Sequence, residues 1–289
     1  MGGTQVPQSL APLRGPDTYD NPFKDVLANL QLTDKDIDDK VEEAFQQLFH
    51  GSVTGDINDP TNEAIFFPVI GAEDEAYIYD VYHRDVRTEG LGLGMLIAVE
   101  LDHQPEFDQL WNYAKREKQA SGASRGYYNS RCDQTSTVAL QCLDPYGLQM
   151  FAMALVFAHD RWRTSALGNI DYEADALGLL DVMLNKERAN GGIVDGVTNT
   201  FDAETSLVFD EPKTTAASRT RPSILMPAFY ELWAQATGNA IFSAAADASR
   251  AFFVSVEQAA PTTGLMPLRA YFDGTPVPGS DTFQAETYR

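Results

Sequence analysis

The chain has 289 residues, 44% hydrophobic and 11% aromatic, enough to bury one large core or two small ones. Its 42 acidic residues against 21 basic ones give a formal net charge of -21, which argues against nucleic acid and anionic membrane surfaces as partners, since both need a basic face. No apolar run reaches the length of a membrane span, and solubility accounts for the acidic balance, although a cationic glycan would also be welcome.

The first 20 or so residues, rich in Pro and Gly and without apolar periodicity, read as a flexible or surface-draped arm ahead of one domain over residues 21–289. They lack the charged start and continuous apolar block of a secretion signal, which points to the cytoplasm. The first strong element is TDKDIDDKVEEAFQQLF (33–49). Thr33 and Asp36 have cap spacing, and Ile37, Val41, Ala44, Phe45, Leu48 and Phe49 form one stripe, so the spacing predicts an amphipathic helix with a wet acidic face.

The run DVRTEGLGLGM (85–95) follows, a single carboxylate, Glu89, with glycine at every second position after it, leading into the apolar helix MLIAVEL. Gly90, Gly92 and Gly94 remove side chains where a ligand or another backbone comes close. An acid at the mouth of a buried helix, flanked by Leu91, Leu93 and Met95, is placed for the partial desolvation that raises a carboxyl pKa, as a general acid at neutral pH requires. Taken alone, glycines before a helix more often make an ordinary turn.

Further helices are predicted over 105–118, 148–158, 171–187, 223–237 and 239–258. The 148–158 segment, with Leu148, Met150, Phe151, Met153, Leu155, Val156 and Phe157, has almost no polar side and belongs inside. Residues 193–210 read as a short hairpin, and other strand signals are scarce, so the class is mainly α. Cys132 and Cys142 could close a small disulfide in an exported protein but are expected as free thiols, and the four histidines (50, 83, 103 and 159) make no metal-ligand spacing, so no cofactor or metal is implied.

Several of these segments together resemble glycoside hydrolase family 8. The resemblance is carried by Asp85, Val86, Arg87, Thr88, Glu89, Gly90, Gly94 and Met95, and continues in CLDPYGLQMFAMALVFAHDRW (142–162), NGGIVDGVTNTF (190–201), PAFYELWA (227–234) and FDGTP (272–276), in the family's order. It implies an (α/α)6 toroid of inner and outer helices with a cleft at one end. About nine or ten helical segments are read, fewer than close such a ring, so an incomplete toroid is expected. An open wall would expose apolar faces and favour self-association.

The members it most resembles act on xylan and xylo-oligosaccharides, with release of xylose from the reducing end among their activities. The resemblance then implies an inverting hydrolase of β-1,4 linkages, with Glu89 as general acid. An inverting pair has its carboxyls about 6.5–9.5 Å apart. For the base, FQAETYR (283–289) matches the family's pattern at Phe283 and Arg289 and puts Glu286 where the family has Asp; Asp281 is the alternative. Asp144 matches a carboxylate that hydrogen-bonds the sugar, while its place before Pro145 reads by itself as a helix cap. Arg87 either binds substrate hydroxyls or pairs with Asp85. Tyr127, Tyr128, Trp111 and Tyr271 are candidate sugar platforms, whereas Trp162, Tyr230 and Trp233 read as core.

The chain also departs from the family's pattern. Leu93 stands where Tyr is usual, Arg221 and the residues to Leu225 replace Asp-Pro-Ser-Tyr-His, and Leu268 and Arg269 replace Asp-Tyr. These substrate-facing changes motivate two alternatives: a catalytically weak relative that binds carbohydrate or a protein partner, and an endo-glucanase or chitosanase of the same family.

Overall fold

Thr33 caps the first helix, α1 (Asp34–His50), with the expected reciprocal pair: its Oγ1 accepts from Asp36 N at 3.2 Å and Asp36 Oδ2 accepts from Thr33 N at 2.9 Å. The structure is a computed structural model that describes residues 5–13, 32–130, 143–165, 168–214, 218–258 and 265–279. Only the last turns of α1 carry the predicted stripe inward. Phe45 and Phe49 are buried and Phe45 stacks on the His103 ring at 3.7 Å, whereas Val41 is exposed.

A hairpin that the sequence reading passed over comes next, β1 (Phe66–Val69) against β2 (Ala72–Ile78), turning at Gly71 with φ 86°. Pro68 in the first strand and the acidic run of the second blur the alternation that marks a strand. The hairpin packs on the helices α2 (Thr88–Glu100) and α3 (Gln104–Tyr113), with Gln109 Nε2 donating to Glu73 O at 2.8 Å. A single π turn (Ala114–Lys118) extends α3 to the predicted end.

The central element is α4 (Pro145–Trp162), buried along nearly its whole length as its apolar sequence requires. Full burial of side chains such as Leu148, Phe151 and Leu155 stabilises by roughly 1.5–3 kcal/mol each. It is followed by α5 (Tyr172–Asn190), then α6 (Pro227–Thr237) and α7 (Ala240–Glu257), the last two joined at Gly238, φ 65°. Within 193–210, bridges Val194↔Val197 and Phe201↔Val208 form the short hairpin expected there. Two-residue strands β3 (Arg219–Thr220) and β4 (Ala270–Tyr271) pair antiparallel.

Contacts alternate along the chain. Helix α2 packs on α4 and α4 on α6, while α3, α5 and α7 each cover the helix before them. This is the inner and outer layering of an (α/α)6 fold. A β-carbon at Gly147 would lie 2.3 Å from Thr88 Oγ1, and one at Gly92 would lie 2.4 Å from Met150 Cβ, so α2 and α4 run parallel and in close contact. Gln149 of α4 donates to Ile224 O at 3.1 Å and accepts from Tyr230 OH at 2.6 Å, tying the start of α4 to the start of α6.

Among the described residues there are seven α-helices and three short π or 3-10 segments, in line with the nine or ten helical segments read from the sequence. Residues 5–13 of the arm, read as flexible or surface-draped, lie packed on the helices: Leu10 is buried, its N donates to Glu173 Oε1 at 2.7 Å, and Ala11 N donates to Ala236 O at 2.6 Å. Among the described residues no helix is long and apolar enough to cross a membrane.

Candidate active site

Glu89 is the second residue of α2, in its first turn and partly exposed. The helix begins at Thr88, so the three glycines lie inside it and not before it. Gly94 accommodates Ile78 and Leu110, which would stand 2.8 and 3.0 Å from an added β-carbon, and Gly92 accommodates Met150. The close approach inferred from the glycines is real, but its partners are the β2 hairpin, α3 and α4 rather than a ligand. Leu93, one turn beyond Glu89, is 40% exposed beside the acid.

The segment entering α2 is fixed from both sides. Arg87 Nε donates to Asp85 Oδ1 at 2.9 Å and Nη2 to Asp85 Oδ2 at 3.1 Å, with Asp80 3.6 Å away. The pairing of Arg87 with Asp85 expected from the sequence is present. Burial works against its charge, but these carboxylates outweigh it and raise the guanidinium pKa. Behind the same segment, buried Lys118 donates to Val86 O at 2.5 Å and to Ser130 O at 3.2 Å. Burial pulls its pKa down. Sequence reasoning missed Lys118, which no motif marks.

Asp144 is the N-cap of α4, as its place before Pro145 suggested: its Oδ1 accepts from Tyr146 N at 3.0 Å. The same oxygen accepts from Arg221 Nη2 at 2.8 Å. Arg221 also places its Nε 2.6 Å from Asp210 Oδ1, and Asp210, only 1% exposed, takes a hydrogen bond from Arg269 Nε at 2.6 Å, with Arg219 Nε 3.6 Å away. A buried carboxylate is tolerated when it is paired in this way. The two arginines that break the family's pattern therefore meet at one carboxylate. Asp210 was not singled out in the sequence because its partners lie at 219, 221 and 269.

The platform expectation for Tyr127, Tyr128 and Trp111 is overturned: they are 1%, 4% and 1% exposed. Tyr127 OH donates to Thr198 O at 2.8 Å, and Trp111 and Tyr128 pack on Phe151 at 5.4 and 5.3 Å between ring centroids. They are core, like Tyr230 and Trp233. Tyr271, on β4, remains partly exposed. Glu286, Asp281, Cys132 and Cys142 lie outside the described residues. Among the described residues no group of His, Cys, Asp and Glu could hold a metal ion.

What the arrangement offers is a carboxylate at the N-terminal end of each of two parallel inner helices, with a third inner helix entering nearby through Arg221. Glycosyl hydrolases family 8 has a model that matches residues 78–287, across all of these positions. The chain belongs to that family. It is 31% identical over 272 residues to the reducing-end xylose-releasing exo-oligoxylanase Rex8A of Paenibacillus barcinonensis, covering 92% of this chain and 66% of the relative. Endoglucanase A of Acetivibrio thermocellus is 28% identical over 195 residues, 68% of this chain and 38% of that one.

Among solved family 8 structures, Rex8A complexed with xylose superposes with a TM-score of 0.72 at 32% identity, over 86% of this chain and 61% of that chain. The chain thus spans about two thirds of the length of these exo-oligoxylanase relatives.

Proposed function

We propose that this family 8 chain serves an inverting glycoside hydrolase that cleaves β-1,4 linkages in xylo-oligosaccharides or xylan. The reading is carried by one observation: Glu89 and Asp144 stand at the same ends of two parallel helices whose backbones touch at Thr88 and Gly147. Glu89 protonates the leaving glycosidic oxygen, Asp144 accepts a hydrogen bond from a sugar hydroxyl, and Glu286 activates water on the opposite face of the ring. The identity to a xylose-releasing relative favours xylo-oligosaccharides over glucan, although an endoglucanase is also among the relatives.

The test is turnover of xylotetraose by this chain beside Glu89→Gln, with the anomeric configuration of the first product followed by NMR. The reading expects an α-configured product and a loss of about 100-fold or more in the variant. A folded parent that binds xylotetraose without cleaving it would replace hydrolysis by carbohydrate binding. Release of cello-oligosaccharides from β-glucan, with xylotetraose untouched, would move the chain to the endoglucanase side.

A further inference from the structure

We propose that Arg221 is a positioning residue for Asp144, braced by Asp210, and that this clamp fixes which oxygen of Asp144 meets the sugar. The inference rests on the hydrolase reading above and adds a residue that it does not contain. An N-cap needs one carboxylate oxygen, and a single hydrogen bond leaves the plane of the carboxylate free to turn. In this chain Oδ1 takes two donors, Tyr146 N at 3.0 Å and Arg221 Nη2 at 2.8 Å. That pins the plane and leaves Oδ2 without a hydrogen bond among the described residues, as the acceptor for a hydroxyl.

Arg221 is braced on its other side by an ion pair, its Nε 2.6 Å from the buried Asp210 carboxylate although not aligned for a hydrogen bond. Asp210 is itself anchored on its other oxygen by Arg269 Nε at 2.6 Å. Burial disfavours the Arg221 charge, yet the two carboxylates keep it well charged, its pKa raised above the ordinary arginine value. The charge matters at this position. Arg221 stands between the Asp144 and Asp210 carboxylates as the cation that both face, and Arg269 supplies a second cation for Asp210. The two departures in sequence are one arrangement in space.

The experiment is a double-mutant cycle on the full chain with xylotetraose: Arg221→Gln and Arg221→Lys, each made with Asp144 intact and with Asp144→Asn, with kcat, KM and Tm measured for all. If Arg221 acts through Asp144, Arg221→Gln lowers kcat/KM by about tenfold or more with the loss on kcat, and changes it by less than about twofold once Asp144 is Asn. Arg221→Lys, which keeps the charge but not the two-pronged reach, falls between. Equal losses in both backgrounds, or a loss confined to KM, would overturn the clamp while leaving the hydrolase reading intact. Should Arg221→Gln not fold, the Lys variant in both backgrounds decides the same question. A folded parent with no turnover removes the hydrolase reading itself, and the clamp with it.

Discussion

Thr88 and Gly147 touch so closely that any β-carbon at 147 would stand 2.3 Å from the Thr88 hydroxyl and 2.9 Å from its backbone carbonyl carbon. Since Glu89 is the next residue, the space for an acid on α2 is set by a missing side chain on α4. Gly147→Ala is expected to destabilise by about 1–3 kcal/mol through overpacking, and to lower kcat/KM by displacing the acid. Gly178→Ala serves as the control: it lies within α5 with nothing within 4 Å of an added β-carbon, and is expected to stabilise by about 0.5–1 kcal/mol. Urea unfolding and xylotetraose kinetics on both variants check the contrast.

Asp144 holds two duties that substitution can separate. Asparagine caps helices about as well as aspartate but weakens the ion pair with Arg221, so Asp144→Asn should cost no more than about 1 kcal/mol while activity falls by about 10–100-fold for want of a charged acceptor. Asp144→Ala should show the same loss of activity and a further loss of stability of about 1 kcal/mol. A variant pair with equal stabilities would remove the cap from the account.

Asp80 links stability to pH. Burial pushes its carboxyl up, but hydrogen bonds from the His83 backbone and ring at 2.9 and 2.7 Å, with the His83 and Arg87 charges, outweigh burial and hold it below the usual carboxylate range. The native state therefore binds this proton less tightly than the unfolded chain. Its contribution is fully present above about pH 3.9 and is lost as pH falls through the lower native value. Asp80→Asn should show a smaller drop in urea midpoint between about pH 6 and about pH 3 than the parent.

Tyr127, placed in the core rather than the cleft, gives a prediction of the opposite kind. Tyr127→Phe leaves the Thr198 carbonyl without its 2.8 Å partner, at a cost of about 1–3 kcal/mol, and should leave KM for xylotetraose unchanged. A raised KM with unchanged stability would return Tyr127 to the sugar.

What the sequence disclosed was whatever local chemistry decides. The Thr33 and Asp36 capping box, the all-apolar α4, the Asp144 cap and the burial of Tyr230 and Trp233 needed only near neighbours and periodicity. The start of α2 was obscured because glycine is a poor helix former, and only the closeness of Ile78, Leu110 and Met150 explains its use there. For Tyr127 and Tyr128 the deciding partners are Val182, Thr198 and Phe151, all distant in sequence. Arg221 and Arg269 were visible as departures from a pattern; that they converge on Asp210 is a fact of three dimensions.

The docked arm has a consequence for the order in which the molecule is made. Leu10 and Ala11 find their partners at Glu173 and Ala236, and Asn239 reaches back to the carbonyl of Gln5 at 3.5 Å. A ribosome delivers the arm well before these partners. Leu10 must therefore wait in solvent until α5 and α6 have emerged, and its docking closes one of the longest loops in the chain. Residues synthesised well ahead of their partners are thus among the last to reach their places, and changes to the arm act on the completion of folding rather than on its beginning.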